Sequence, residues 1–212
     1  VIFVFLLLSV FLAVGPTLDI FISNLFYFGN NQFLVQSYYY VSLFFRKIVL
    51  FFILIYILVL PIFSSLFPIK KLYCDYSFKI KDIFYIWSLT ILNLVVFVNL
   101  IFKNMWGRAR PNDILELGGI NLFTPWYQIS KQCSINCSFV SGDAAVGFLL
   151  IVFYFLIRKE VYLWLALFFG LAIGAIRIME GGHFFSDVIF SCLFVFILNF
   201  FTHSYFSKKI NG

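Results

Sequence analysis

A chain of 212 residues with 63% hydrophobic residues, 32 Phe, only 11% charged residues and a mean hydropathy of +1.03 lies far outside the range of soluble proteins. The composition excludes a water-soluble globular domain. With no linker, low-complexity tract or internal repeat, it also gives no sign of a second domain, so residues 1–212 are expected to form one all-α polytopic membrane unit. The net charge of +6 follows the distribution of lysines at the membrane ends and points to no nucleic-acid or protein partner.

A crossing needs roughly 20 apolar residues. Six transmembrane helices are expected, at about 1–15, 48–67, 83–102, 142–157, 160–178 and 185–203. The chain opens on Val1 rather than Met, so a short cytoplasmic start is expected before it. Between the first two spans, residues 16–47 carry Asp19, Asn24, Asn30 and Asn31 among many Phe and Tyr, which suits an interfacial helix better than a crossing.

Orientation follows from Lys70, Lys71, Lys79 and Lys81 in one connection, Arg158 and Lys159 in a second, and Lys208 and Lys209 in the tail. Six crossings put all three on one side, which the positive-inside rule makes cytoplasmic. The interfacial helix and residues 103–141 and 179–184 then face the periplasm. Lys103, Arg108, Arg110 and Lys131 are positive charge on the wrong side and need a local reason.

Three clusters on that side supply one. In "KNMWGRARP", a third helix continued to Arg110 would put Lys103 and Arg110 two turns apart on one face, about 10 Å along the axis, with Pro111 ending it. In "FVSGDAA", Ser141 and Gly142 open the fourth span, where free N–H groups and the positive helix end favour an anion. In "RIMEGGHFFSD", Arg177 ends the fifth span, and His183 and Asp187 stand four residues apart at the start of the sixth. There the carboxylate can accept from one imidazole nitrogen and free the other as a nucleophile.

Singly, each has a plain explanation: a snorkelling cation, a capping Ser, a Gly turn, a lone His. Together they do not. Charge at membrane depth costs about 2.5–3.5 kcal/mol per residue, and such residues are functional by default. Cations, a helix N-terminus and a His with its carboxylate fit phosphoryl transfer through a phosphohistidine.

These segments resemble the type 2 phosphatidic acid phosphatase (PAP2) superfamily, whose motifs K-x6-RP, PSGH and SR-x5-H-x3-D correspond to residues 103–111, 140–143 and 176–187. The resemblance implies a metal-independent and cofactor-free lipid phosphatase in the bacterial inner membrane, with the phosphorylated lipid as its partner. It implies that Lys103, Arg110, Ser141, Gly142 and Arg177 bind phosphate, that His183 attacks phosphorus and that Asp187 orients His183. Arg108 stays open as an additional substrate contact.

Val140 and Ile176 depart from the motifs in minor ways, whereas Asp143 replaces the His that serves the family as general acid. Asp143 reads equally as a dipole-favoured first-turn residue, as a substitute acid, or as the mark of a leaving group that needs no proton. The last reading favours an anomeric sugar phosphate or a pyrophosphate. Among family members the chain is most similar to the lipid A 1-phosphatases, sharing with them a "P-x-x-D" interfacial segment at Pro16 to Asp19. Phosphatases of undecaprenyl pyrophosphate or phosphatidylglycerophosphate are the alternatives, and a lipid-phosphate transporter is the non-enzyme alternative. Cys133 and Cys137, in the outer loop before Ser141, are expected to form a disulfide rather than a metal pair.

Overall fold

The computed structural model describes residues 15–30, 32–67 and 76–211. No strand occurs among them apart from two isolated bridges, and the architecture is a helical bundle. Helix α1 covers residues 15–24, α2 Tyr39–Leu66, α3 Ile80–Met105, α4 Gly142–Ile157, α5 Glu160–Met179 and α6 Phe185–Asn211. Four of them, α2, α3, α5 and α6 over Phe185–Phe206, are long and apolar enough to cross a membrane. α4 is a shorter apolar helix, and most of the first expected crossing lies outside the described residues. The segment expected as one interfacial helix is instead divided: α1 ends at residue 24, the chain turns, and Tyr39 already opens α2. Gly29 and Asn30, both at positive φ, make that turn.

Several polar side chains inside these helices bond to their own helix backbone, as a lipid environment favours. Thr90 Oγ1 and Asn93 Nδ2 each donate to the carbonyl four residues earlier, both at 2.8 Å, and Asn199 Nδ2 does the same to Val195. α4 and α5 approach closely because Gly147 faces Gly170: a Cβ on Gly147 would lie 2.7 Å from the Gly170 nitrogen. Among the described residues, a large core of Leu, Ile, Val and Phe runs between α2, α3, α4, α5 and α6.

The bundle alternates in direction, so the C-terminal ends of α3 and α5 meet the N-terminal ends of α4 and α6. Above that end lies the connection 106–141. Trp106 stacks on Phe139 with ring centroids 4.7 Å apart and donates from Nε1 to the Trp126 carbonyl at 2.7 Å. A second, smaller core of Phe33, Ala109, Ile114, Leu117 and Phe184 ties the connection to both the α1–α2 turn and the start of α6. The connection is thereby anchored at several points.

Candidate active site

α3 does not continue to Arg110. It ends at Met105, Gly107 turns the chain at φ 64, and Arg110 is extended at φ −82 and ψ 159, the conformation that a following proline enforces. Lys103 and Arg110 therefore share no helical face, yet the two are still held together. Lys103 Nζ donates to Asn136 Oδ1 at 3.0 Å, and Arg110 Nη2 to the Asn136 carbonyl at 2.8 Å. Asn136 lies inside the small loop closed by the Cys133–Cys137 disulfide, whose Cα atoms are 5.6 Å apart. The bridge thus fixes the residue that aims both cations.

Ser141 caps α4, its hydroxyl accepting from the Ala144 N–H at 3.5 Å. The Lys103 ammonium passes 3.6 Å from the β position of Gly142, so the first two motifs meet here. Arg177, at the end of α5, is almost fully buried and reaches Asp143 Oδ2 from Nε at 3.3 Å and Glu180 from Nη1. A side chain at Gly182 would collide with that guanidinium at 2.5 Å, which accounts for glycine there. Arg46, from α2, closes a ring: its Nε lies 3.2 Å from Asp143 Oδ2 and its Nη1 3.3 Å from Glu180 Oε1. Ser42 adds a hydrogen bond to Glu180 at 2.8 Å. Arg110, Arg177 and Arg46 all lie within electrostatic reach of Lys103.

His183 precedes α6 rather than sitting in it. Its Nδ1 lies 2.6 Å from the Ser138 carbonyl and 3.6 Å from Asp187 Oδ2, so the nearer partner is the backbone. A carbonyl can only accept, which places the proton on Nδ1 and leaves Nε2 with a free lone pair. Burial lowers the His183 pKa below the usual value, against the pull of Asp187, so the imidazole is neutral at pH 7.

Asp187 is fully buried and its carboxylate has three hydrogen-bond donors. Oδ2 accepts from Ser138 Oγ at 2.5 Å and from the Phe184 N–H at 2.8 Å, capping α6, while Oδ1 accepts from Arg108 Nη1 at 2.6 Å. Arg108 has no exposed surface at all. It also donates to Asp19 Oδ2 at 2.8 Å, Ser186 Oγ at 2.8 Å and the Thr124 carbonyl at 2.9 Å, with its guanidinium carbon 4.2 Å from the Phe184 ring centre. Asp19 in turn accepts from the N–H and hydroxyl of Ser186. Arg108 is therefore a buried tie between α1, the 106–141 connection and α6, and not a surface open to substrate.

Lys103, Arg110, Ser141, Gly142, Asp143, Arg177, His183 and Asp187 come together at one end of the bundle. Arg46, Asn136, Ser138 and Glu180 were missed. Arg46 carried the same signal as Lys103, a cation on the wrong side, while Asn136 and Glu180 lie inside "CSINC" and between Arg177 and His183 without a motif position of their own. Among the described residues no group of three or more His, Cys, Asp or Glu is arranged to hold a metal ion.

A model of the PAP2 superfamily matches residues 84–211. A lipid A 4'-phosphatase of Francisella tularensis subsp. novicida is 36% identical over 211 residues, covering 94% of this chain and 91% of that protein. Lipid A 4'-phosphatases of Rhizobium leguminosarum and Rhizobium etli are 35% and 36% identical over 102 and 97 residues. These matches cover 47% and 44% of this chain and 44% and 38% of the two proteins. No solved structure matches the chain.

Removing the charge of Arg108 while keeping its bulk, as in Arg108→Met, leaves two buried carboxylates without their cation. It is expected to cost about 3–5 kcal/mol of stability, measured by denaturation in detergent. An unchanged midpoint would contradict the buried tie.

Proposed function

We propose that this chain, which belongs to the PAP2 superfamily, removes the 4'-phosphate of lipid A at the periplasmic face of a bacterial inner membrane. It is a multi-pass membrane phosphatase, and its family membership sets aside the transporter alternative. The observation that carries the substrate is the match to the Francisella lipid A 4'-phosphatase across nearly the whole of both chains. The 1-phosphate expected from the sequence gives way to the 4' position, since all three phosphatase relatives are named for it. The periplasmic assignment rests on Lys79, Lys81, Arg158 and Lys159, which stand at the opposite end of the bundle, where the positive-inside rule puts the cytoplasm.

In this reading the phosphate dianion sits among Lys103, Arg110, Arg177 and Arg46, with the N-terminus of α4 at Gly142 facing it. Nε2 of neutral His183 attacks phosphorus: an N–P bond forms as the P–O bond to the sugar breaks. The Ser138 carbonyl and Asp187 stabilise the Nδ1–H as the ring becomes cationic. Water then cleaves the phosphohistidine, releasing inorganic phosphate and restoring His183.

The 4' position changes what Asp143 must do. A 4'-phosphate is an ester of an ordinary ring hydroxyl, and its alkoxide is a poor leaving group that needs a proton. The sequence argument for a leaving group needing none therefore falls. Asp143 occupies the position of the family's acid, and at rest its carboxylate is shared by Arg46 and Arg177. A dianion that claims those guanidiniums frees the carboxylate to take a proton from solvent and pass it to the departing oxygen, and to take one back from the water that cleaves the phosphohistidine.

Two measurements check this. Mass spectrometry of lipid A after incubation is expected to show loss of the 4'-phosphate with the 1-phosphate retained; loss of the 1-phosphate alone would refute the assignment. Asp143→Asn is expected to lower turnover of lipid A by about 10²–10⁴-fold but that of an aryl phosphate, with its better leaving group, far less. Equal losses on both substrates would remove Asp143 from the acid role.

A further inference from the structure

We propose a second anion site at the end of the bundle opposite the phosphate cage, one that takes the phosphate of an anionic phospholipid headgroup. The 20 residues of α5 set it about 30 Å from Arg177. The start of α3, the α4–α5 turn and the far end of α6 enclose a cavity of about 290 Å³ there. Lys79, Lys81, Arg158 and His203, with one carboxylate, Asp82, supply its polar wall, and Phe155 and Phe206 an aromatic one.

The positive-inside rule explains why cations gather at this end of the bundle. It does not explain Tyr85, which lines the cavity, is only 3% exposed, and has a buried hydroxyl with no hydrogen-bond partner among the described residues. A buried O–H without an acceptor costs free energy unless something supplies one. The nearby carboxylate does not: Asp82 Oδ2 is taken by the Tyr76 hydroxyl at 3.2 Å and the Lys79 N–H at 2.9 Å. Among the described residues, Lys79, Lys81 and Arg158 form no ion pair.

Arg158 adds a second, independent sign. It closes α4 in the left-handed conformation, φ 62 and ψ 32, where glycine is the usual residue. Its Nη2 stands 3.4 Å from His203 Nε2, which can only accept from a guanidinium and so belongs to a neutral imidazole, beside the unpartnered phenol. The arrangement is short of one thing, an acceptor with negative charge. An anion with an apolar tail satisfies the donors and lies along Phe155, Leu156 and Phe206, at the level where the spans end and lipid headgroups begin. The inference does not depend on the reaction proposed for the other end.

The test uses the purified full-length chain in an uncharged detergent, titrated with phosphatidylglycerol, phosphatidylcholine or inorganic phosphate and read by thermal midpoint and by lipid retained in native mass spectrometry. Tyr85→Phe keeps the ring and removes the hydroxyl; Arg158→Gly removes the cation at a backbone conformation that glycine prefers. Both are expected to fold and to keep the parent phosphatase activity. Phosphatidylglycerol is expected to bind at least about tenfold more tightly than phosphatidylcholine, with Arg158→Gly losing about tenfold and Tyr85→Phe severalfold. An effect of inorganic phosphate that both variants abolish keeps the site and makes the free ion its occupant. Equal binding of the two lipids, or anion effects that survive in both variants, would overturn the proposal.

Discussion

Arg108 is a guanidinium with no contact with water, and the arrangement of the whole site depends on how that charge is neutralised. Burying it costs several kcal/mol unless each donor finds an acceptor. Asp19, Asp187, Ser186 and the Thr124 carbonyl provide them at 2.6–2.9 Å, and they come from three separate parts of the chain. Each carboxylate is in turn saturated by other donors. Such a network tolerates little displacement, because a half-satisfied buried charge is worse than none. The consequence reaches the reaction centre: Arg108 fixes Asp187, Asp187 holds Ser138, and the Ser138 carbonyl sets the tautomer of His183.

Around the proposed nucleophile the charges are arranged differently. Arg46 and Arg177 alternate with Asp143 and Glu180 in a partly exposed ring, each guanidinium shared between two carboxylates. Arg46 is 43% exposed, and ion pairs open to solvent are weak and exchangeable, so a phosphate dianion can replace a carboxylate at that guanidinium at small cost while the buried Arg177 stays in place. The buried network gives rigidity and the exposed ring gives access. Both meet at α6, where Asp187 and His183 are only four residues apart.

Much of this was legible in the sequence. The apolar runs at 48–67, 83–102, 160–178 and 185–203 fall within helices long enough to cross lipid, although α2 starts already at Tyr39 and 142–157 is a shorter apolar helix, and the three motifs named residues that the fold brings together. What was not legible depended on the path of the backbone. "KNMWGRARP" was read as helix because Lys103 and Arg110 are spaced for one, but Gly107 and Pro111 make the stretch after Met105 extended. That change sends Arg108 inward to Asp19 instead of outward to substrate. Asp19 lies 89 residues from Arg108 in the chain, and no local pattern announces such a pair. Asn136 and Glu180 were invisible for a related reason: their roles are contacts with other motif residues. Arg46, which shares the Asp143 carboxylate with Arg177, was missed as well, because it comes from α2 and belongs to no motif.

The central claim is that His183, neutral and aimed by Ser138, displaces the sugar and carries the phosphoryl group before water does. The stereochemical course at phosphorus tests it most directly, using a chiral thiophosphate ester hydrolysed in isotopically labelled water. Two in-line displacements predict retention of configuration. Inversion would mean that water attacks phosphorus itself and that His183 is no nucleophile.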